Sequence, residues 1–279
     1  MKIHSYKRVL TSLSAAFVAA AFSSAASALN LDLTLGATNV PFAGALFTSG
    51  ANTANVGTGV FNTFVQIRDN STVTQAYNTT VNGVLDNGSN DPANHAINYN
   101  DVSITIVGEI EYRQFNLDIN EPNSAASRYL SLDDIEIYLS GDPNQSTTSR
   151  TMLGTLIYDL DQRGDNNILL DGNLNSGSGS GIDLVFLVPN SLFTAPNQFI
   201  YLYSQFGREG NTANPADTRA FTAQAGFEEW SSARCVSTPS APCIPGNGTL
   251  PPVVIPEPGS LALIGLALLG LTGLKRKKG

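Results

Sequence analysis

In one stretch after another from residue 29 to 235, the apolar residues of this chain fall on every second position. Successive side chains of a β-strand point to opposite faces, so an alternating run offers one apolar face for burial. Leu29, Leu31, Leu33 and Leu35 alternate with Asn30, Asp32 and Thr34. Val102, Ile104 and Ile106 interleave with Ser103 and Thr105, and Ile135, Ile137 and Leu139 with Glu136 and Tyr138. Residues 184–188 (LVFLV) are apolar throughout, as in a strand buried on both faces. Phe199, Tyr201 and Tyr203 follow, then Phe221, Ala223, Ala225 and Phe227. Between these runs lie clusters such as 86–94 (DNGSNDPAN) and 141–149 (GDPNQSTTS), whose residue types make turns. No stretch between 29 and 235 sustains a helical stripe, and no repeat of solenoid length is visible. About ten strands of this kind predict an all-β fold. An antiparallel β-sandwich or jelly roll over 29–234 is the natural closure, with a barrel as second choice.

Both ends of the chain depart from this pattern. Lys2, Lys7 and Arg8 precede a 14-residue apolar run, 9–22, and Ala26-Ser27-Ala28 supplies an A-x-A site. In that order these features read as a signal peptide, 1–28, cleaved between Ala28 and Leu29 by signal peptidase after passage through the secretion machinery. At the other end Pro256-Glu257-Pro258 leads into a 16-residue apolar segment, 259–274, and then Lys275-Arg276-Lys277-Lys278. Sixteen residues at about 1.5 Å each fall short of a ~30 Å hydrocarbon core. Gly265, Gly270 and Gly273 weaken the helix further. The segment 256–279 therefore reads as a marginal membrane helix whose basic end stays cytoplasmic. Residues 235–255, with Pro239, Pro242, Pro245, Pro251 and Pro252, read as a linker unable to join a regular ladder. Its two cysteines, Cys235 and Cys243, suit a local disulfide in an oxidising compartment, with two free thiols as the alternative.

Charge narrows the function. Residues 29–256 hold eight arginines, no lysine and 22 acids, a net charge of −14. That excludes nucleic acid as a partner, because phosphates need a basic footprint. Nucleophilic catalysis fares badly as well. One histidine, His95, remains after residue 28, and no G-x-S-x-G elbow is present. Glu109 and Glu111 would share a face if 108–113 were a strand, at a spacing open to glycosidase chemistry. The densest oxygen-ligand cluster is 159–171, with Asp159, Asp161, Asp165, Asn167 and Asp171. It departs from an EF-hand at Arg163 and Leu170. Its two readings are a calcium-stiffened loop and an Asx-rich turn. Apart from calcium, no cofactor is implied. Tyr201, Tyr203 and Trp230 are candidates for stacking on sugar rings if they lie on one exposed sheet face.

The three-part tail, Pro256-Glu257-Pro258, short apolar helix and basic end, resembles the PEP-CTERM sorting signal of bacterial exported proteins. The resemblance implies processing by an exosortase, a membrane protease-transpeptidase, in cells that make exopolysaccharide. It assigns sorting roles to Pro256, Glu257 and Pro258. A second resemblance rests on 175–181 (NSGSGSG), 182–184 (IDL), 188–193 (VPNSLF), 201–207 (YLYSQFG) and 225–230 (AGFEEW). This order is similar to exported β domains known as choice-of-anchor domains, whose name implies no activity. The expected protein is a non-enzymatic component of the cell surface or extracellular matrix. Its precursor is held in the cytoplasmic membrane by the C-terminal helix, and exopolysaccharide is a candidate partner. The alternative is a carbohydrate-binding or polysaccharide-modifying, glycosidase-like protein.

Overall fold

The computed structural model describes residues 29–50, 63–68, 71–87, 93–122, 124, 127–175, 181–194, 198–208, 219–224, 226–232 and 243–244. They form two β-sheets. In the first, the order is β1 (Asn30–Asp32), β11 (Asn167–Asp171), β9 (Tyr129–Ser140), β13 (Phe199–Phe206) and β5 (Thr74–Tyr77). β10 (Thr155–Asp159) also pairs with β9, and β6 (Ile97–Asn98) with β13. In the second, the order is β15 (Cys243–Ile244), β7 (Ile104–Val107), β8 (Ile110–Ile119), β12 (Leu184–Pro189), β3 (Ala45–Ser49) and β2 (Val40–Phe42). β14 (Phe227–Ser232) pairs with β8 and with β4 (Thr63–Arg68). Every described pairing is antiparallel except β1 with β11.

Each sheet has one long strand as its spine. β9 is 12 residues long and β8 is 10. Along β9, β13 occupies one side, while β10 and β11 share the other at opposite ends. β8 is arranged likewise, with β12 on one side and β7 and β14 sharing the other. One apolar cluster fills the space between the sheets, drawing Ile135, Ile137 and Leu202 from the first and Phe115, Leu117 and Phe186 from the second. Phe186 lies at its centre. Its ring is 5.1 Å from Phe47, 5.9 Å from Phe115, 6.1 Å from Trp230 and, across the gap, 5.1 Å from Tyr158. Trp230 also ties the layers together, its Nε1 donating to Ser204 Oγ at 3.0 Å. This is the expected antiparallel sandwich.

Four local expectations change. The leucine run is not one strand: β1 stops at Asp32, whose carboxylate accepts from Thr34 N–H and Oγ1. That turn leaves Leu35 exposed. Phe221 and Ala223 are buried, but β14 begins only at Phe227. Glu109 is not on a strand face with Glu111. It forms, with Gly108, the two-residue turn between β7 and β8, where Val107 pairs Ile110 and both turn residues have positive φ. Finally, the linker does contribute to a ladder, because Cys243 and Ile244 pair with Thr105 and Ile104. The proline-free pair Cys243-Ile244 can supply those hydrogen bonds where its proline neighbours cannot.

Candidate functional site

The outer face of the first sheet is lined by alternate residues of its strands. Asp134, Glu136 and Tyr138 of β9 lie across from Gln205, Tyr203 and Tyr201 of β13, and Tyr203 in turn lies across from Tyr77 of β5. The segment following β9 folds back over them. Tyr77 OH donates to Thr147 O at 2.8 Å, and Tyr201 OH donates to Asp142 O at 2.8 Å. Tyr203 OH donates to Gln75 Oε1 at 2.6 Å. Tyr201, Tyr203 and Trp230 are therefore buried, the tyrosines under a loop and the tryptophan in the core. They form no exposed platform for a sugar ring. Strand period predicts that Tyr201 and Tyr203 share a face but carries no information about a roof over it.

A first carboxylate cluster lies beside these tyrosines. Asp159 pairs with Glu136 between β10 and β9, and one oxygen each of Asp134, Glu136 and Asp159 lies within 4.8 Å of the others. Arg150, in a short 3-10 turn, bridges two of the three, Asp134 and Glu136. It pairs with Asp134, lies 3.1 Å from Glu136 Oε1, and sits 4.8 Å from the Tyr203 ring centre. Glu136 also accepts from Tyr138 OH at 2.5 Å. Burial, then the neighbouring charges of Glu136 and Asp161, push the Asp134 carboxyl up to about 7 against the pull of Arg150. Burial raises Glu136 as well.

Of the five ligands expected in 159–171, only Asp159 joins this group. Asp161 turns back to accept from Asn166 N–H at 2.8 Å, and Asp165 pairs with Arg208. Asn167 and Asp171 are the two ends of β11. A strand of that length holds its ends about 13 Å apart, whereas ligands of one calcium lie at 2.3–2.6 Å from it. Asp171 instead pairs with Arg128 at 3.2 Å. The five residues do not converge on one cation. Asp159, Asp161 and Asn166 form a polar turn stiffened by side chain to backbone bonds, and Asp165 adds the ion pair with Arg208.

A second cluster forms where β8 ends. Ile119 N–H donates to Asp183 Oδ2 at 2.8 Å, and the next amide, Asn120 N–H, donates to Glu228 Oε2 at 3.4 Å. Glu121 Oε1 accepts from Gln224 N–H at 2.9 Å. Asp183 enters from the start of β12 and Glu228 from β14, on either side of β8. Their residues are 5% and 0% exposed. Their second oxygens, Asp183 Oδ1 and Glu228 Oε1, are buried with no hydrogen-bond partner among the described residues. Asp118, also buried, faces Glu229 across the β8–β14 pair. Burial and the Glu229 charge push its carboxyl up to about 7. Burial drives Asp183 and Glu228 well above the carboxylate range, each reinforced by Asp118. Sequence reasoning missed this cluster. The available signal was an acid wedged between apolar residues three times: Leu117-Asp118-Ile119, Ile182-Asp183-Leu184 and Phe227-Glu228-Glu229-Trp230.

The sorting residues Pro256, Glu257, Pro258 and Lys275–Lys278, the residue Ala28 before the expected cleavage point, and Cys235 of the expected disulfide lie outside the described residues. Leu29, the expected first residue of the exported chain, donates its N–H to Asn166 Oδ1 at 3.3 Å and accepts from Asn167 N–H at 3.1 Å. Among the described residues no helix is long and apolar enough to cross a membrane. The helix expected at 259–274 lies outside them.

Residues 254–277 match the PEP-CTERM protein-sorting motif. The chain thus carries the signal of an exported protein that an exosortase processes from a membrane-anchored precursor. The match takes in the Pro-Glu-Pro tripeptide, the apolar segment and the basic residues up to Lys277, and it is confined to the tail. No curated protein and no solved structure matches the chain.

Proposed function

We propose that this protein is a non-enzymatic component of the cell surface or extracellular matrix. It is exported, held by its tail, cut at the sorting signal, and used outside the cell as a β-sandwich module in an exopolysaccharide-rich layer. The observation that carries this reading is the sorting motif at 254–277. The sandwich gives it partial support. In the outer-face group, Asp134 and Glu136 are engaged by Arg150 and Tyr138, and Asp159 accepts from Asp161 N–H, so the three acids do not stand free. Burial of Tyr201, Tyr203 and Trp230 removes the aromatic argument for the carbohydrate-binding alternative.

The tail chemistry explains the processing. Proline disfavours the α conformation in the residue before it, so Pro258 holds Glu257 extended, and Pro256 fixes the chain just ahead. Four consecutive basic residues stop translocation and leave the tripeptide at the outer boundary. Replacing Pro256, Glu257 and Pro258 together with Ala is expected to leave a full-length, membrane-retained precursor in a host that has an exosortase. Mass spectrometry of the native protein from that host should find the C-terminus upstream of the apolar segment. A native chain ending at Gly279 would replace this reading with that of a plain tail anchor. Incubating the released protein with the producing cell's polysaccharide tests the non-enzymatic part: the polymer's size distribution should stay constant, and depolymerisation would overturn it.

A further inference from the structure

We infer that the acidic turn between β10 and β11 receives the chain's own α-ammonium group, which cleavage between Ala28 and Leu29 exposes. The inference rests on the export reading above. It starts from where the Leu29 nitrogen points. β1 runs parallel to β11, and the pairing of Asn30 with Asn167 sets Asn167 N–H against Leu29 O at 3.1 Å. The N–H and C=O of one strand residue lie on the same side, so the Leu29 nitrogen also points toward β11. Just before the first residue of β11 stands the turn, and there Asn166 Oδ1 accepts from Leu29 N at 3.3 Å. Asn166 N–H in turn donates to Asp161 Oδ1 at 2.8 Å. One residue thus connects the first nitrogen of the exported chain to a carboxylate.

In the precursor that nitrogen is a neutral amide with a single hydrogen. Hydrolysis of the Ala28–Leu29 bond consumes one water, leaves a carboxylate on Ala28, and leaves Leu29 an amine that takes up a proton at neutral pH. The surroundings suit the new charge. The turn carries Asp159, Asp161 and Asp165, and the guanidiniums beside it are the exposed Arg163 and Arg208, which pairs with Asp165. Three carboxylates outnumber two guanidiniums. Burial pushes the Asp161 carboxyl up to about 6 against the Asn166 N–H, with Asp165 and Asp159 adding to the rise and Arg208 opposing it. On the other side Phe42, Ala43 and Gly44 at the β2–β3 turn bring no charge. With Leu29, Leu160 and Asn166 they line a cavity of about 340 Å³, room for the hydrogens that Asn166 does not take to reach water. Chain ends fray unless tied down. The ammonium fixes the first residue of an edge strand whose other end Arg219 holds through Asp32, so the cut that removes the signal peptide also completes the sheet edge.

The absence of lysine from residues 29–256 makes the α-amine their one primary amine. Reductive methylation of the exported protein with ¹³C-formaldehyde therefore labels one site in that span, and its NMR signal is titrated in the folded and in the urea-unfolded state. The folded pKa is expected to stand above the unfolded one by about half a unit or more. Asp161→Asn and Asn166→Ala should each bring it back toward the unfolded value, whereas Asp142→Asn, in the segment after β9, should not. A raised amine pKa contributes stability that is complete below the unfolded value and lost as pH rises through the folded one. Acetylation, which restores the neutral amide of the precursor, should accordingly lower the melting temperature at pH 7 and leave it unchanged near pH 10. A folded pKa at or below the unfolded one in the unsubstituted protein overturns the inference, independently of how any variant folds. A rise that both Asp161→Asn and Asn166→Ala leave intact also overturns it, because the partner then lies outside this turn. Intact mass reads the two ends separately: a first residue other than Leu29 removes the premise of the inference, and the last residue tests the sorting reading on its own.

Discussion

Asn78 shows how much of this fold depends on single polar side chains. It is fully buried, and its amide acts as a short piece of strand. Nδ2 donates to Ile200 O at 2.8 Å and to His95 O at 3.1 Å, while Oδ1 accepts from Leu202 N–H at 2.7 Å. Asn78→Leu keeps the approximate volume and leaves those three backbone groups unpartnered. It should cost about 2–4 kcal/mol, read as a lower denaturation midpoint with an unchanged slope. Arg113 plays a similar part. Its guanidinium donates to Tyr99 O and Val102 O at 2.7 Å each and to Asn190 Oδ1 at 2.9 Å, and stacks 4.0 Å from the Tyr99 ring centre. In sequence, Asn78 is one Asn among many before Thr79-Thr80, and Arg113 is a charge on a strand. Residue type alone cannot reveal which polar groups the tertiary fold turns inward. The apolar centre was easier to read. Phe186 stands in an uninterrupted apolar run, and Phe186→Ala, which removes a ring packed against four others, should cost about 3–5 kcal/mol in the same measurement.

At the scale of elements, period-two alternation located most long strands and failed where the backbone changes phase. In β9, Leu130 and Leu132 face the core, yet so do Ile135, Ile137 and Leu139. The phases are reconciled by a bulge: the pairing with β13 steps from Gln205–Asp134 to Phe206–Leu132, leaving Asp133 as the extra residue. The released Asp133 carboxylate accepts from Arg208 N–H at 2.5 Å. Alternation cannot announce such a step, because one added residue looks the same as two separate strands. Turns were legible by composition but not by geometry. The Gly108-Glu109 hairpin needs positive φ at both positions, and Glu109 adopts φ 67° without the help that Gly or Asn would give. Glu109→Gly should therefore stabilise the domain by a few tenths to about 1 kcal/mol, the left-handed strain removed less the added chain entropy. Gly207 predicts the opposite. Its φ is 80°, and a Cβ there would stand 2.1 Å from Thr72 O. Gly207→Ala should lower the melting temperature even though it adds only a methyl group, because backbone atoms, not a yielding side chain, occupy the space.

For the whole molecule, the sequence revealed the net charge of −14 between residues 29 and 256 but not where the fold would place it. Several of those acids are buried, and this sets the direction of the pH response. Asp134 and Asp118 are each pushed up to about 7, and burial also raises Asp183 and Glu228 well above the ordinary carboxylate value. The groups acting on Asp134 are Glu136, Asp161 and Arg150, and on Asp118, Glu229. A folded-state pKa above the unfolded one means that the native protein holds more protons than the unfolded chain between the two values. Unfolding free energy then falls as pH rises through that window, here from about 4 to about 7. The contribution is complete below the unfolded pKa and lost above the folded one. For Asp134 and Asp118 it is on the order of 4 kcal/mol each as an upper bound. Asp32 runs the other way: burial raises it, but Thr34 and Arg219 outweigh burial and leave it lowered. It is more exposed than the others and cannot reverse the sum. The protein is therefore expected to melt highest near pH 4–5 and progressively lower toward pH 8. Thermal melts across this range test the direction. A protein most stable at pH 7–8 would show that Asp118, Asp134, Asp183 and Glu228 are hydrated in solution rather than buried.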